Sequence, residues 1–307
     1  MTPRLSASAP LDQINEWTAR VRQRTALSFE VIPPRNDADA SKISELLAVL
    51  QSYHPDYIAV TSSQRSGWLR GTAAFIEQIA RTTSMRPLAH LACTAGSPGE
   101  LSEWVDVLVD SGVRGFLALR GDLPEDGMPA GYLQHADELI RLIRRREAAQ
   151  AARFAAGNLA VGVACYPNGH AESANADEDI DVLLTKQRLG ANFAITQLFF
   201  DPEDYARFYQ RARLAGVRIP LIPGIMPMTS VARLERMAGL SGLDVPPKVR
   251  AALAAAKTPE DEQEIGMELT AELARGVLRA GAEGLHIYTH NNPAITQDLL
   301  SRIGVNR

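Results

Sequence analysis

The sequence predicts an α/β fold, a (β/α)₈ TIM barrel, and three observations carry that expectation. Eight short apolar runs recur along the chain, each closing on polar residues: 28–34, 56–62, 87–94, 115–122, 159–167, 193–200, 220–227 and 284–290. Helix-like segments separate them, and strict alternation of strand and helix means parallel strands joined by helical crossovers. The length of 307 residues matches such a barrel with a few extensions. In this fold the functional site gathers at the carboxyl ends of the strands. Glu30, Thr61, His90, Asp122, Tyr166, Gln197 and Tyr288, which stand at or near the run ends, should therefore meet in one pocket.

The elements can be justified in order. Leu11, Ile14, Trp17 and Val21 mark one face of a short amphipathic helix over 10–22, placed beneath the barrel before the first strand. Ser97, Pro98 and Glu100 spell a helix start and Gly112 its stop; Asp201, Pro202 and Asp204 begin another that Gly216 ends. Thr258, Pro259 and Asp261 open a long helix closed by Gly281. Surplus length before the last strand predicts an added helix over 246–256, and the Ala- and Arg-rich stretch 141–156 reads as helix surface. No linker or low-complexity segment divides the chain, so 1–307 reads as a single barrel domain. Two loops stand out. Residues 123–132, rich in Gly and Pro, lie where a lid would sit, and residues 62–71 carry two arginines and a tryptophan suited to a planar or anionic ligand.

Composition narrows the partners. A net charge of −4 speaks against nucleic acid and anionic membrane surfaces. No run reaches the length of a membrane span, and the first ten residues have no apolar signal core, so a cytoplasmic protein is expected. Cys93 and Cys165 fall in apolar strand segments and read as reduced core residues. Oligomeric state is left open.

Glu30 is the sharpest candidate for chemistry. It lies inside an apolar strand, where desolvation should raise its pKa toward that of a general acid; the competing reading is an ion pair with an arginine such as Arg120. Asp122 ends the fourth run after Arg120 and Gly121, and fits either a heterocycle's N–H groups or a turn cap. Gln197 can read an amide-like ring edge or be satisfied by backbone. His90 and His170 read as donors to phosphate or ribose, and His286 as structural. Gly224 is a close-approach or turn position. There is no HExxH pair and no His-x-His at the first strand, so no metal site is expected; no GxGxxG or Walker loop follows a strand.

Taken together, SFEVIPPR at Ser28, HLAC at His90, FLALRGD at Phe116, YPNGH at Tyr166, GANFAITQLFFD at Gly190, IPGIMP at Ile222 and GLHIYT at Gly284 resemble the methylenetetrahydrofolate reductase family. The resemblance implies a (β/α)₈ barrel that reduces 5,10-methylenetetrahydrofolate to 5-methyltetrahydrofolate, usually through FAD that NADH or NADPH reduces. It makes Glu30 the catalytic acid. Asp122 joins it at the reaction centre, contacting the pterin as Gln197 does and lying near the flavin ring. Met237, in place of a folate-site phenylalanine, and Tyr288 complete the substrate set. Thr61, His90, Leu119, Arg120, Gly121, Tyr166, His170, Asp179 and Lys186 fall on cofactor-binding positions.

Departures from the family cluster on the flavin side. A glycine- and alanine-rich turn is replaced by Ser62, Ser63, Gln64 and Arg65; a tyrosine becomes His135; polar contacts become Val182 and Thr185; and a folate-contacting arginine becomes Asn292. The expectation is a reductase without bound flavin that passes hydride directly from NADH or NADPH to the folate. His90, Arg120, Tyr166, His170 and Lys186 would then hold the dinucleotide. The alternatives are an ordinary FAD enzyme with a remodelled loop, a folate-binding barrel without turnover and, more remotely, a metal hydrolase. No fingerprint distinguishes NADH from NADPH.

Overall fold

The computed structural model describes residues 25–34, 37–62 and 68–306. The helix expected over 10–22, and residues 63–67 of the altered turn, lie outside them.

The strands are β1 (Ala26–Val31), β2 (Tyr57–Val60), β3 (Pro87–Ala92), β4 (Gly115–Leu119), β5 (Ala160–Cys165), β6 (Phe193–Thr196), β7 (Leu221–Ile222), β8 (Gly224–Ile225) and β9 (Gly284–Tyr288). They run parallel in the order β7-β6-β5-β4-β3-β2-β1-β9-β8. The expected eight staves are present, but the seventh is split. Pro223 has no N–H to give to a ladder, so β7 pairs with β6 and β8 with β9. Because β7 and β8 are consecutive in the chain, the split stave brings the two ends of the sheet together into a nearly closed barrel. The Pro223 carbonyl still accepts from the His286 N–H at 3.0 Å.

Around the barrel lie α1 (Asp37–Ser52), α2 (Trp68–Thr82), α3 (Pro98–Asp110), α4 (Ala136–Ala149), α5 (Ala176–Arg188), α6 (Pro202–Ala215), α7 (Val231–Leu240), α8 (Pro247–Ala254), α9 (Pro259–Arg279) and α10 (Pro293–Arg302). The predicted caps form. Ser97 and Glu100 make a reciprocal capping box, Asp201 accepts from the Glu203 N–H, and Thr258 accepts from the Asp261 N–H. The added helix is α8, and α7 precedes it in the same long connection. Three details differ from the expectation. The stretch 141–156 is helical only to Ala149, and turns follow. Cys93 opens a 3₁₀ turn after β3 rather than ending the strand. Cys165 does end β5; both thiols are free, and burial pushes each up to about 12.

Strand alternation produces two apolar layers. Leu27, Phe29 and Val31 of β1, and their counterparts on the other strands, pack outward in one large core with the helices. Ala59, Leu88, Leu117 and Ile195, with Tyr57, Leu119 and Phe193, fill a smaller cluster inside the barrel. The residues that alternate with Phe29 on β1 and Ile287 on β9 are polar, and they define the site.

Candidate active site

Ser28 and Glu30 alternate with the outward residues of β1, and His286 and Tyr288 do the same on β9. The two strands pair Ser28 with His286 and Glu30 with Tyr288. Glu30 Oε2 lies 3.4 Å from His90 Nε2 and 3.8 Å from His286 Nε2. Neither imidazole Nε2 has a hydrogen-bond partner, although both are buried. Ser28 Oγ donates to the Leu285 carbonyl at 3.3 Å and meets His286 Nδ1 at 2.9 Å. Ser28 thereby orients the ring, and Nε2 of His286 faces Glu30.

This geometry reverses the expected electrostatics of Glu30. Burial does push its pKa up, but the facing His286 imidazole first, and then the surrounding His90, His286 and His290 rings, outweigh it. The carboxyl is held below its ordinary range. Burial in turn pushes His90 down, by more than Glu30 pulls it up. The arginine partner considered for Glu30 is engaged elsewhere: Arg120 forks onto Glu172, with Nη2 to Oε1 at 2.9 Å. His286, read as structural, belongs to the centre of the site. The missed signal was its period-two spacing from Tyr288, matching that of Ser28 from Glu30.

The exit of β9 is fastened to β1. Thr289 Oγ1 donates to the Glu30 carbonyl at 2.6 Å, and the Asn291 side chain bonds both the N–H and carbonyl of Ile32 at 2.9 and 2.7 Å. His290 and Asn291 adopt φ of 47° and 58° between these anchors, a left-handed conformation that non-glycine residues keep only when the surroundings impose it. Tyr288 reaches across to β6, donating to the Thr196 carbonyl at 3.0 Å. Gly224 is needed beneath it, since a Cβ there would stand 2.6 Å from the Tyr288 hydroxyl.

The predicted pterin contacts stand around the mouth. Gln197 Oε1 accepts from the Leu198 N–H at 2.8 Å, which leaves the side-chain NH₂ to donate to a ligand. Asp122 is exposed and, among the described residues, has no partner within the chain. Met237 is half-buried on α7.

Six of the predicted cofactor residues converge separately. Leu119, Arg120, Tyr166, His170, Asp179 and Lys186 line a cavity of about 560 Å³ between the ends of β4 and β5, the start of α4 and one side of α5. His135, Val182 and Thr185, the family departures, line it too. Asp179 accepts from the His170 N–H at 3.1 Å and from the Ser173 hydroxyl at 2.8 Å, and Tyr166 meets the His170 ring edge-on at 4.7 Å. Lys186 Nζ donates to the Ala164 carbonyl at 3.2 Å, and burial pushes its pKa down. Thr61, His90 and Gly121 are not in this lining: Thr61 continues β2, and His90 stands beside Glu30. Gly121, at φ 87°, leaves no room for a Cβ, which would lie 2.1 Å from Thr94 Oγ1. The cavity lining combines carboxylates, an aromatic face in Tyr166 and the cations Arg120 and Lys186. Among the described residues, no three His, Cys, Asp or Glu side chains gather as a metal site, and no helix is long and apolar enough to cross a membrane.

A sequence profile of the family described as Methylenetetrahydrofolate reductase matches residues 14–304. The chain belongs to the methylenetetrahydrofolate reductase family. It is 30% identical over 296 residues to the 5,10-methylenetetrahydrofolate reductase of Pectobacterium carotovorum, covering 96% of this chain and 95% of that protein. It is 29% identical to the same-named protein of Escherichia coli, covering 96% of each. Among solved structures, a Clostridium thermocellum protein described as binding two copies of 5-methyl-5,6,7,8-tetrahydrofolic acid aligns at a TM-score of 0.61 and 13% identity. That alignment covers 94% of this chain and 98% of the other. A 2,3-dimethylmalate lyase aligns at 0.52 and 14%, covering 95% and 88%. At such identities the likeness is one of fold, and it agrees with the barrel.

Proposed function

We propose that this family member reduces 5,10-methylenetetrahydrofolate to 5-methyltetrahydrofolate, taking hydride directly from NADH or NADPH with no resident flavin. The placement of Glu30 carries the reading: a carboxylate held between His90 and His286 at the mouth of a family barrel. Glu30 delivers a proton to the imidazolidine ring of the folate as the ring opens to an iminium ion. A pterin seated over the mouth removes further water from Glu30, adding to the push that burial already exerts and bringing the carboxyl toward its protonated form. Gln197 NH₂ and the Asp122 carboxylate hold the pterin and steady the developing positive charge. The dinucleotide, when bound, supplies the hydride. Arg120, Tyr166, His170, Asp179 and Lys186 hold its far end, which fixes the reacting face relative to the folate.

The absence of flavin is inferred from the replaced small-residue turn at Ser62 to Arg65, and from Val182 and Thr185 in the cavity where the family has polar contacts. The ordinary FAD enzyme remains the second reading, favoured by the cavity itself, whose residues keep most family positions. Purified protein separates the two. The proposal expects no flavin absorbance band, NADH oxidation that added FAD does not accelerate, and label from stereospecifically deuterated NADH in the product methyl group. A flavin band, with label lost to solvent, assigns the chain to the flavoenzymes.

A further inference from the structure

The cavity between β4, β5, α4 and α5 is charged against the dinucleotide it is read to hold. Five carboxylates line it, from Asp137, Glu172, Glu178, Asp179 and Asp181, against two strong bases, Arg120 and Lys186. Lys186 is buried, gives Nζ to the Ala164 carbonyl at 3.2 Å, and is pushed by burial toward its neutral form. Arg120 is thus the firmest cation facing the cavity, and it is taken. Glu172 accepts from both ends of the guanidinium fork, with Nη2 on Oε1 at 2.9 Å. The Arg120 contact in turn holds the Glu172 carboxyl below its ordinary range, so both partners are charged near neutral pH.

Glu172 is anchored by its backbone and loose at its side chain. Its N–H donates to His170 Nδ1 at 3.2 Å. On either side, the Asn168 side chain donates to Asp204 at 2.8 Å, and Asn175 caps α5 by accepting from the Asp177 and Glu178 N–H groups. The Glu172 side chain is nonetheless 57% exposed, against 25% for Arg120. Its carboxylate can turn out to water by a change of rotamer alone, leaving the guanidinium in the cavity wall. An ion pair this open contributes little to stability, and a phosphate answers the same fork with the same two parallel hydrogen bonds.

We propose that Glu172 is an ionic latch: it occupies Arg120 in the free chain, yields to a phosphate group of the arriving dinucleotide, and returns when the ligand leaves. It thereby lowers the affinity for the dinucleotide and speeds its exchange. This rests on the reading of the cavity given above. A pyrophosphate entering a latched cavity meets the carboxylates with no free guanidinium to offset them. Departure of Glu172 removes one negative charge from the lining and releases one positive.

The test is equilibrium titration of the full chain with NADH, and separately with FAD, in wild type, Glu172→Gln, Arg120→Gln and the double variant. Glu172→Gln should tighten binding about three- to fivefold and slow dissociation in proportion, and Glu172→Ala should do at least as much. Arg120→Gln should weaken binding. Adding Glu172→Gln to it should change affinity by less than about twofold, because the latch then has nothing to hold. Equal or weaker binding by both Glu172→Gln and Glu172→Ala overturns the latch and assigns Glu172 to holding Arg120 in position. Tightening that persists undiminished without Arg120 also overturns it, in favour of general charge repulsion. Tightening of FAD binding alone keeps the latch and overturns the NADH reading. Absence of binding of either ligand by any of these proteins overturns both.

Discussion

Glu30 Oε2 lies 3.4 Å from His90 Nε2 although their strands do not pair. Both β1 and β3 flank β2, and the residue paired with Glu30 on β2 is Ala59. Ala59 is fully buried in the barrel interior beside Leu88. A methyl group at that point leaves the space through which carboxylate and imidazole approach each other. Ala59→Leu should overfill it, destabilising the fold by about 1–3 kcal/mol and lowering kcat/KM at least about tenfold by separating the pair. Thermal melts and steady-state kinetics check this, and unchanged kinetics would show that the separation is set elsewhere.

Glu30→Gln keeps the size of the side chain and removes its transferable proton. Turnover should fall by about 10²-fold or more, while folate affinity changes by no more than a few-fold. The acid form matters for pH as well. Because the surrounding imidazoles hold Glu30 below the ordinary carboxylate range, its protonated fraction grows as pH falls. In wild type, kcat/KM should therefore rise steadily from about pH 8 to about pH 6, and that rise should vanish in Glu30→Gln. A rate that increases with pH over this interval would assign Glu30 the role of a base.

Asp122 and Gln197 should serve the pterin rather than the dinucleotide. Asp122→Asn and Gln197→Ala are expected to weaken folate binding or its reduction by about tenfold, with NADH affinity nearly unchanged. Separate titrations of the two ligands decide it; a selective loss of NADH affinity would exchange the two assignments.

His290 offers a stability test. Burial, followed by the charge of Arg233, pushes its pKa from 6.5 down to about 4. Between those values the unfolded chain binds a proton that the folded chain refuses. The stabilisation is thus complete above pH 6.5 and is lost as pH falls toward 4, by on the order of 2–3 kcal/mol. His290→Asn removes the titration while tolerating the left-handed backbone. Denaturant unfolding across that range should show a shallower decline for the variant; parallel curves would mean that His290 titrates normally.

Much of the chemistry was legible in the chain itself. Apolar runs of strand length, capped helices between them and polar residues at the run ends specify parallel staves and the end at which the site forms, because both signals are local and periodic. Glu30 and Gln197 could be named for the same reason, whereas the Arg120-to-Lys186 set followed from the family resemblance. The split at Pro223 was also written locally, as a missing N–H within an otherwise apolar run.

What only the tertiary structure decided is which of those residues meet, and with what charge. Closure of the barrel brings β9 against β1 and lets β3 reach over Ala59. Glu30 therefore finds two imidazoles rather than Arg120, and its pKa moves down instead of up. His286 enters the site, and His90 leaves the company of the other cofactor residues. Sequence spacing reports the direction of a side chain along its own strand or helix. The sign of an electrostatic shift depends on groups tens or hundreds of residues away, and only the closed barrel sets those distances.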